Sequence, residues 1–308
     1  MEIYLPVAGF AVNPFILIGF GTIVGFLSGL LGTGGGFMMT PILLFYGTAP
    51  EIAVAASLLQ TAGISISGTL SWWQRKGVDF RMGSVLVIGG LLGSLLGSYL
   101  FKFMREAGLL DLVIPLIYVM LLSFVGILML AESLMTLRLQ QQEPNRKPSK
   151  RKGQDWAHRI PGRMSFPRSI LYISPIAPLI IGFVLGMIAA IMGVGGGFLM
   201  VPAMIYILGM SAAVVIGTSL FQIVFVTSFI TITNSISTQT VDIIMVLFLL
   251  IGGIVGTQFG VSLARNTKNE HLRLLMGIVI ILVALRLLLG LIWIPDEIYT
   301  IVSKETIQ

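Results

Sequence analysis

Gly32-Thr33-Gly34-Gly35-Gly36-Phe37-Met38-Met39-Thr40-Pro41 and Gly193-Val194-Gly195-Gly196-Gly197-Phe198-Leu199-Met200-Val201-Pro202 are two copies of one signal, and each interrupts a long apolar stretch. A glycine costs a helix about 1 kcal/mol relative to alanine, so three in a row break a helix that should cross lipid. In hydrocarbon the freed N–H and C=O groups find no water. Each break must therefore face protein or a water-filled cavity.

The surrounding composition fixes the class. Of 308 residues 56% are hydrophobic and 10% charged, and the mean hydropathy is +0.98. A water-soluble globule could not cover such a surface, so the chain reads as an all-α polytopic membrane protein embedded in a lipid bilayer. The lack of cysteine removes disulfides, thiolate catalysis and iron–sulfur ligation together. With only His158 and His271 a histidine-built metal site is not expected, and no cofactor is called for. No basic region precedes the first apolar run, which reads as a retained span and not a cleaved signal.

Apolar runs near the ~20 residues needed to cross occupy Phe15–Leu31, Ile52–Trp72, Met82–Phe101, Leu109–Ala131, Tyr172–Met192, Ser211–Ile232, Val241–Leu263 and Leu272–Trp293. Two shorter pieces, Phe37–Tyr46 and Phe198–Leu208, follow the glycine clusters and read as half-helices, too short for ~30 Å of hydrocarbon. Between the halves, Glu132–Ser169 is polar and basic, carrying Arg138, Arg146, Lys147, Lys150, Arg151, Lys152, Arg159, Arg163 and Arg168. Such a run reads as a topology determinant on an anionic leaflet and not as a nucleic-acid site. The expected organisation is a first membrane repeat over 1–131, a basic cytoplasmic linker over 132–170 and a second repeat over 171–308.

A shift of 161 to 163 residues pairs Gly25 with Gly186, Pro41 with Pro202, Ser57-Leu58-Leu59-Gln60 with Ser219-Leu220-Phe221-Gln222, and Val78-Asp79 with Val241-Asp242. It also pairs Gly89-Gly90, Gly93 and Gly97 with Gly252-Gly253, Gly256 and Gly260. Each half is one copy of a unit of four long helices and one broken half-helix. If the short segment counts as a crossing, each unit has an odd number of passes and the copies are inverted. The basic linker, Arg75, Lys76, Arg81, Arg265, Lys268 and Arg273 then share the inside, with Lys102 and Arg105 as the misfit, partly offset by Glu106 and Asp111. If the short segments re-enter, the loop with Arg265 falls outside. The inverted arrangement fits the charges better and is the expectation.

Gly34, Gly35 and Gly36 precede one half-helix, and Gly195, Gly196 and Gly197 precede the other. Each cluster thus offers unpaired N–H groups at a positive helix end that attracts anions. Two such ends converging on a pseudo-twofold axis can hold a small oxyanion, with Thr33, Ser57, Gln60, Ser219 and Gln222 as neutral side-chain partners. The competing reading is that the glycines serve close helix packing and that Ser57 and Ser219 bond helix backbone. Pro41 and Pro202 start or kink the short helices. Arg286, deep in the last span and matched by Ser123, is a possible charge partner for an anion or carboxylate, or a side chain that snorkels to the interface. Asp79 and Asp242 read as N-caps and Glu51 as a first-turn carboxylate. Met38, Met39, Met192 and Met200 read as packing and not as soft-metal ligands. Neither glycine cluster continues into the Gly-Lys-Ser/Thr of a P-loop, and no nucleophile, carboxylate pair or metal cluster stands in the spans, so the chain does not read as an enzyme.

The paired G-x-G-G-G-x-x-x-x-P signatures, the following S-L-L-Q and S-L-F-Q, the V-D pairs and the G-x-x-x-G-x-x-x-G helices resemble the TauE/SafE sulfite exporter family, also called the 4-toluene sulfonate uptake permeases. The resemblance covers both halves, leaving out the linker and the tails. It implies a multi-pass permease of the bacterial inner membrane for sulfite, a sulfonate or another small sulfur anion, driven by a proton or sodium gradient without ATP-binding parts. Direction, anion and oligomeric state stay open. A channel, a cation carrier and a non-transport accessory protein are the alternatives.

Overall fold

A computed structural model describes residues 3–7, 9, 11–142, 164–169, 171–238, 241–264 and 269–292. Among them are ten α-helices: α1 Pro14–Leu31, α2 Gly36–Phe45, α3 Pro50–Gln74, α4 Phe80–Glu106, α5 Leu110–Gln142, α6 Ile176–Met192, α7 Gly197–Tyr206, α8 Ala212–Thr238, α9 Ile243–Ala264 and α10 Asn269–Ile292. Six (α1, α3, α4, α5, α8 and α9) are long and apolar enough to cross a membrane, while α6 and the apolar part of α10, Leu274–Gly290, are shorter. At 1.5 Å per residue the 17 residues of α6 still reach about 26 Å, near the lower limit for a span. The ten-residue α2 and α7 reach about 15 Å each and are half-helices, as their sequences require.

The two sets of five helices are interlocked. Helix α1 packs along α9 and α6 along α4, so each repeat lends its first helix to the other. Small residues make these seams. A Cβ added to Gly21, Gly25 or Gly29 of α1 would collide with the main chain of Leu249, Gly253 or Thr257 of α9. One added to Gly89, Gly93 or Gly97 of α4 would likewise collide with Leu179, Phe183 or Met187 of α6. Lipid gives helices no hydrophobic reason to associate, so backbone-to-backbone approach of this kind supplies the packing energy.

Corresponding helices meet head to tail. Along α3 and α8, Trp72 lies by Gly217 and Gly68 by Leu220; along α5 and α10, Gly126 lies by Ile281 and Gly277 by Leu130. In both pairs one number rises as the other falls, so the partners run antiparallel. The polar ends follow the same reciprocity. Arg75, at the end of α3, donates to the Val261 carbonyl in the last turn of α9 at 3.2 Å, where a cation complements the helix dipole. Lys102 and Arg105 have carboxylate neighbours, Glu106 at 3.9 Å and Glu51 at 2.6 Å respectively. Asp111 lies in α5, but its side chain, like the loop holding Arg265 and Lys268, the linker cations Arg146–Arg163 and both histidines, falls outside the described residues or side chains.

Two β-hairpins complete the fold. Strands β1 Ile3–Tyr4 and β2 Ala11–Val12 precede α1, and β3 Met164–Phe166 and β4 Leu171–Ile173 precede α6. Tyr172, taken from the sequence as the start of a span, belongs to β4. Asp79 and Asp242 cap α4 and α9, their Oδ1 atoms accepting from the N–H of Met82 (3.2 Å) and Met245 (3.1 Å). Their second oxygens reach the hairpins: Asp79 Oδ2 accepts from Ser169 N–H and Oγ–H at 2.9 and 2.6 Å, and Asp242 Oδ2 from Val7 N–H at 3.1 Å. Arg168 adds a bond to the Val78 carbonyl and stands 5.8 Å from the Phe80 ring centroid.

Candidate functional site

Each glycine cluster is a turn that only glycine allows. Helix α1 closes on Gly32 (φ 74°), Thr33 follows, Gly34 (φ 75°) and Gly35 (φ 81°) are also left-handed, and α2 begins at Gly36. The second break repeats this through Gly193 (φ 74°), Gly195 (φ 70°) and Gly196 (φ 72°). Such φ values cost an L side chain about 1 kcal/mol or more each. Gly35 and Gly196 supply no side-chain cap. The first bonds into each half-helix come from Met38 and Met39 to the Gly35 carbonyl, and from Leu199 and Met200 to that of Gly196. The N–H groups of Gly36, Phe37, Gly197 and Phe198 lie ahead of those bonds, in the turn that has no intrahelical acceptors.

The breaks back onto one another. A Cβ on Gly36 would strike the Val194 carbonyl, and one on Gly197 the Thr33 carbonyl. Phe37 and Phe198, the second residues of α2 and α7, stack with centroids 5.7 Å apart and planes at 29°. Every residue from Leu31 to Phe37 and from Met192 to Phe198 is buried, so both breaks are sealed from solvent by protein.

Serine hydroxyls fasten the ends of α1 and α6 across the repeat boundary. Ser57 Oγ donates to the Gly193 carbonyl at 2.9 Å, and Ser219 Oγ to the Gly32 carbonyl at 2.8 Å, while each also lies within bonding distance of its own helix, at Val54 and Ile216. Thr40 Oγ1 reaches Ser57 Oγ at 2.6 Å, and Tyr118 donates to the Met192 carbonyl at 2.9 Å. These bonds occupy carbonyls that the helix ends leave open. The bonding of Tyr118 and Thr40 was invisible in the sequence, where Tyr118 stands outside the repeated signature and Thr40 is one of its variable positions, matched by Val201.

Other polar groups beside the breaks are buried and have no hydrogen-bond partner among the described residues. They are Ser28 Oγ, Thr33 Oγ1, Thr61 Oγ1, Ser65 Oγ, both terminal atoms of Gln60, and Gln222 Oε1. Thr33, Gln60 and Thr61 are fully buried, and Gln222 is 1% exposed. A buried polar atom without a partner costs about 1 to 3 kcal/mol, which makes a cluster of them conspicuous. The Gln60 amide nitrogen faces Gly253 of α9, and that of Gln222 faces Gly90 of α4.

Of the residues singled out from sequence, the glycines, Thr33, Ser57, Gln60, Ser219 and Gln222 come together. Arg286 does not. Its guanidinium lies 4.6 Å from the Phe45 ring centroid, at the far end of α2 from the glycines and exposed on the flank of α10. Among the described residues the only buried carboxylates are Asp79 and Asp242, there is no buried lysine or arginine, and no group of three metal-ligating side chains occurs. Thr61, Ser28 and Ser65 were missed. Setting the two halves side by side would have exposed Ser28 and Thr61, answered by Ala189 and Ile223, as positions where the repeat changes chemistry, but not Ser65, which Thr227 answers with another hydroxyl.

Interlocked helix sets with paired buried breaks, spans of membrane length and half-helices define a polytopic transporter of the membrane. The chain belongs to the TauE/SafE family: the family described as Sulfite exporter TauE/SafE matches residues 17–287. It is similar to the probable membrane transporter protein YunE of Bacillus subtilis (strain 168), 29% identical over 284 residues that cover 89% of this chain and 96% of the relative. A probable membrane transporter protein of Xylella fastidiosa (strain 9a5c) is 29% identical over 274 residues, 88% of this chain and 93% of its own. YjnA of Bacillus subtilis (strain 168), also named a probable membrane transporter protein, is 28% identical over 271 residues, with 87% and 97% covered. No solved structure matches the chain. With its spans, the protein is a multi-pass transporter of the bacterial inner membrane.

Proposed function

We propose that the protein is a secondary permease, not an enzyme, that carries a small sulfur-containing anion such as sulfite or a sulfonate and binds it where the two glycine breaks meet. The observation that carries this reading is the cluster of buried, unpartnered polar groups, hydroxyls and side-chain amides, where the two half-helix N-termini converge. Helix N-termini favour negative charge, and neutral donors bind an anion without holding it as tightly as a buried cation would. Gly34, Gly35, Gly36, Gly195, Gly196 and Gly197 supply main chain; Thr33, Gln60 and Gln222 supply side chains; Ser57 and Ser219 hold the loops in place. A proton or sodium ion is the coupling partner.

The two repeats are inverted in this reading. The antiparallel course of α3 against α8 and of α5 against α10 supports an axis in the membrane plane, since repeats related by an axis along the normal would run parallel. The contact of Arg75 with the end of α9 further supports a common side for the two basic loops, with the 132–170 linker cytoplasmic. On such an axis, elements that touch their own mates lie near mid-depth, where transporters bind cargo. The sealed breaks correspond to an occluded state. A cation carrier fits less well, because Asp79 and Asp242 are committed to helix caps and hairpins.

The test is uptake of labelled sulfite, sulfoacetate and taurine into proteoliposomes under a proton or a sodium gradient. Gradient-dependent flux of one or more is expected. Absence of flux for all of them, with protein correctly inserted, overturns the proposal.

A further inference from the structure

The two halves differ chemically where they meet. By the repeat shift, Ser28, Thr33 and Thr61 in the first half answer Ala189, Val194 and Ile223 in the second. Ser65 answers Thr227, but Thr227 Oγ1 donates to the Ile223 carbonyl at 2.7 Å whereas Ser65 Oγ has no partner. The main chain is alike at both breaks, so the contrast lies in the side chains around it. At the start of α2, a Cβ on Gly36 would stand 2.9 Å from Thr61 Oγ1, and one on Gly35 would stand 3.4 Å from Ser28 Cβ. At the start of α7, the same construction on Gly197 meets Ile223 Cδ1 at 2.5 Å, and on Gly196 it meets Ala189 Cβ at 3.4 Å. Methyl groups of Val24, Ile64 and Ile223 line the first break and one of Thr61 touches the second, but unbonded hydroxyls belong to the first-half positions, and their second-half counterparts Ala189, Val194 and Ile223 carry only carbon.

We propose that the anion's oxygens bind at the first break alone, held by the N-terminus of α2, the hydroxyls of Ser28, Thr33 and Thr61 and the amide of Gln60, and that the second break forms an apolar wall receiving no anion. The inference rests on the permease reading and narrows its site to one lobe. Buried donors without partners are the groups that gain most from a bound oxyanion. An oxygen placed against Val194 and Ile223 would lose its hydration and meet only carbon. The pseudo-symmetry thus builds two helix ends and the side chains select one, so each chain takes one anion, off the axis. The ligand is a small anion with two or three oxygens on one face. Any organic part turns towards Val194 and Ile223.

The test uses the full chain, purified, with sulfite as the probe, read by titration calorimetry in detergent and by flux in proteoliposomes. Thr33→Val and Thr61→Val keep shape and remove one hydroxyl each; Val194→Ala and Ile223→Val trim the opposite wall. Each threonine change is expected to weaken sulfite binding about tenfold or more, with the ligand-free melting temperature unchanged or raised. Each wall change should shift binding less than about twofold, and wild type should bind one sulfite per chain. Equal losses on both sides, unaltered binding in Thr61→Val, or two anions per chain overturn the inference while leaving the permease reading intact. Wild-type protein that neither binds nor moves sulfite, sulfoacetate or taurine removes the permease reading itself, and this one with it.

Discussion

Gln60→Met carries the sharpest consequence, because its two effects have opposite signs. Methionine matches glutamine in length and lack of branching, and the position is fully buried, with the amide nitrogen near Gly253. Both terminal atoms of Gln60 lack a partner. Relieving the cost of such an atom is worth about 1 to 3 kcal/mol, and at about 2 °C per kcal/mol for a chain of this size the ligand-free melting temperature should rise by about 2 to 6 °C. Removing the same amide from a bound anion should weaken affinity by about 5- to 150-fold, since each 1.4 kcal/mol is about tenfold. Differential scanning fluorimetry in detergent, with and without a transported sulfur anion, reads both: the variant should melt higher alone and gain little from the anion. A variant that melts lower alone and keeps its full ligand-induced shift would refute the reasoning, since Gln60 would then be a packing residue.

Four further outcomes follow from the packing. Gly25→Ala, and its counterpart Gly186→Ala, drive a methyl into backbone of the facing helix and should each cost about 1 to 3 kcal/mol or more, seen as a lower melting temperature and less monodisperse protein; unchanged melting in both would mean the seams are looser than described. Ser57→Ala and Ser219→Ala should each lose about 1 to 3 kcal/mol by stranding a helix-end carbonyl, with anion affinity kept within about twofold; a selective loss of affinity would move the serines into the site. Asp79→Ala should cost about 0.5 to 2 kcal/mol for the cap, and more because Ser169 loses its acceptor, so the hairpin before α6 should become more open to limited proteolysis than wild type; equal cleavage rates would count against the latch. In this cysteine-free chain, Tyr46→Cys and Ile207→Cys, at matching ends of the half-helices, should react with an impermeant thiol reagent from opposite sides of the membrane, and labelling from the same side would refute inversion.

The spans were legible because lipid imposes length and hydropathy on each helix separately, and seven of the eight long runs begin within three residues of an observed helix. Tyr172 shows the limit. Apolar alternation in a two- or three-residue strand looks like the start of a helix, and what makes it a hairpin is a distant carboxylate, Asp79, that no local pattern announces. The caps at Asp79 and Asp242 were legible, since capping is local, but their second oxygens act over 90 and 235 residues of sequence. At the breaks, the glycines declared a backbone conformation directly. The serines were ambiguous between cargo and backbone until geometry showed their hydroxyls on Gly193 and Gly32. Arg286 looked central from its depth in the run, yet which way a helix faces depends on its neighbours, and Phe45 turns out to hold it.

The exchange of first helices has a bearing on how the chain is made. When the first five helices have left the ribosome, the glycine seam of α1 still lacks α9, and the end of α1 lacks Ser219. The glycine stripe of α1 stays uncovered until α9 has been made, so the fold cannot close helix by helix. A halved gene would yield a working protein only if both pieces were inserted in the same membrane, each as the other's template.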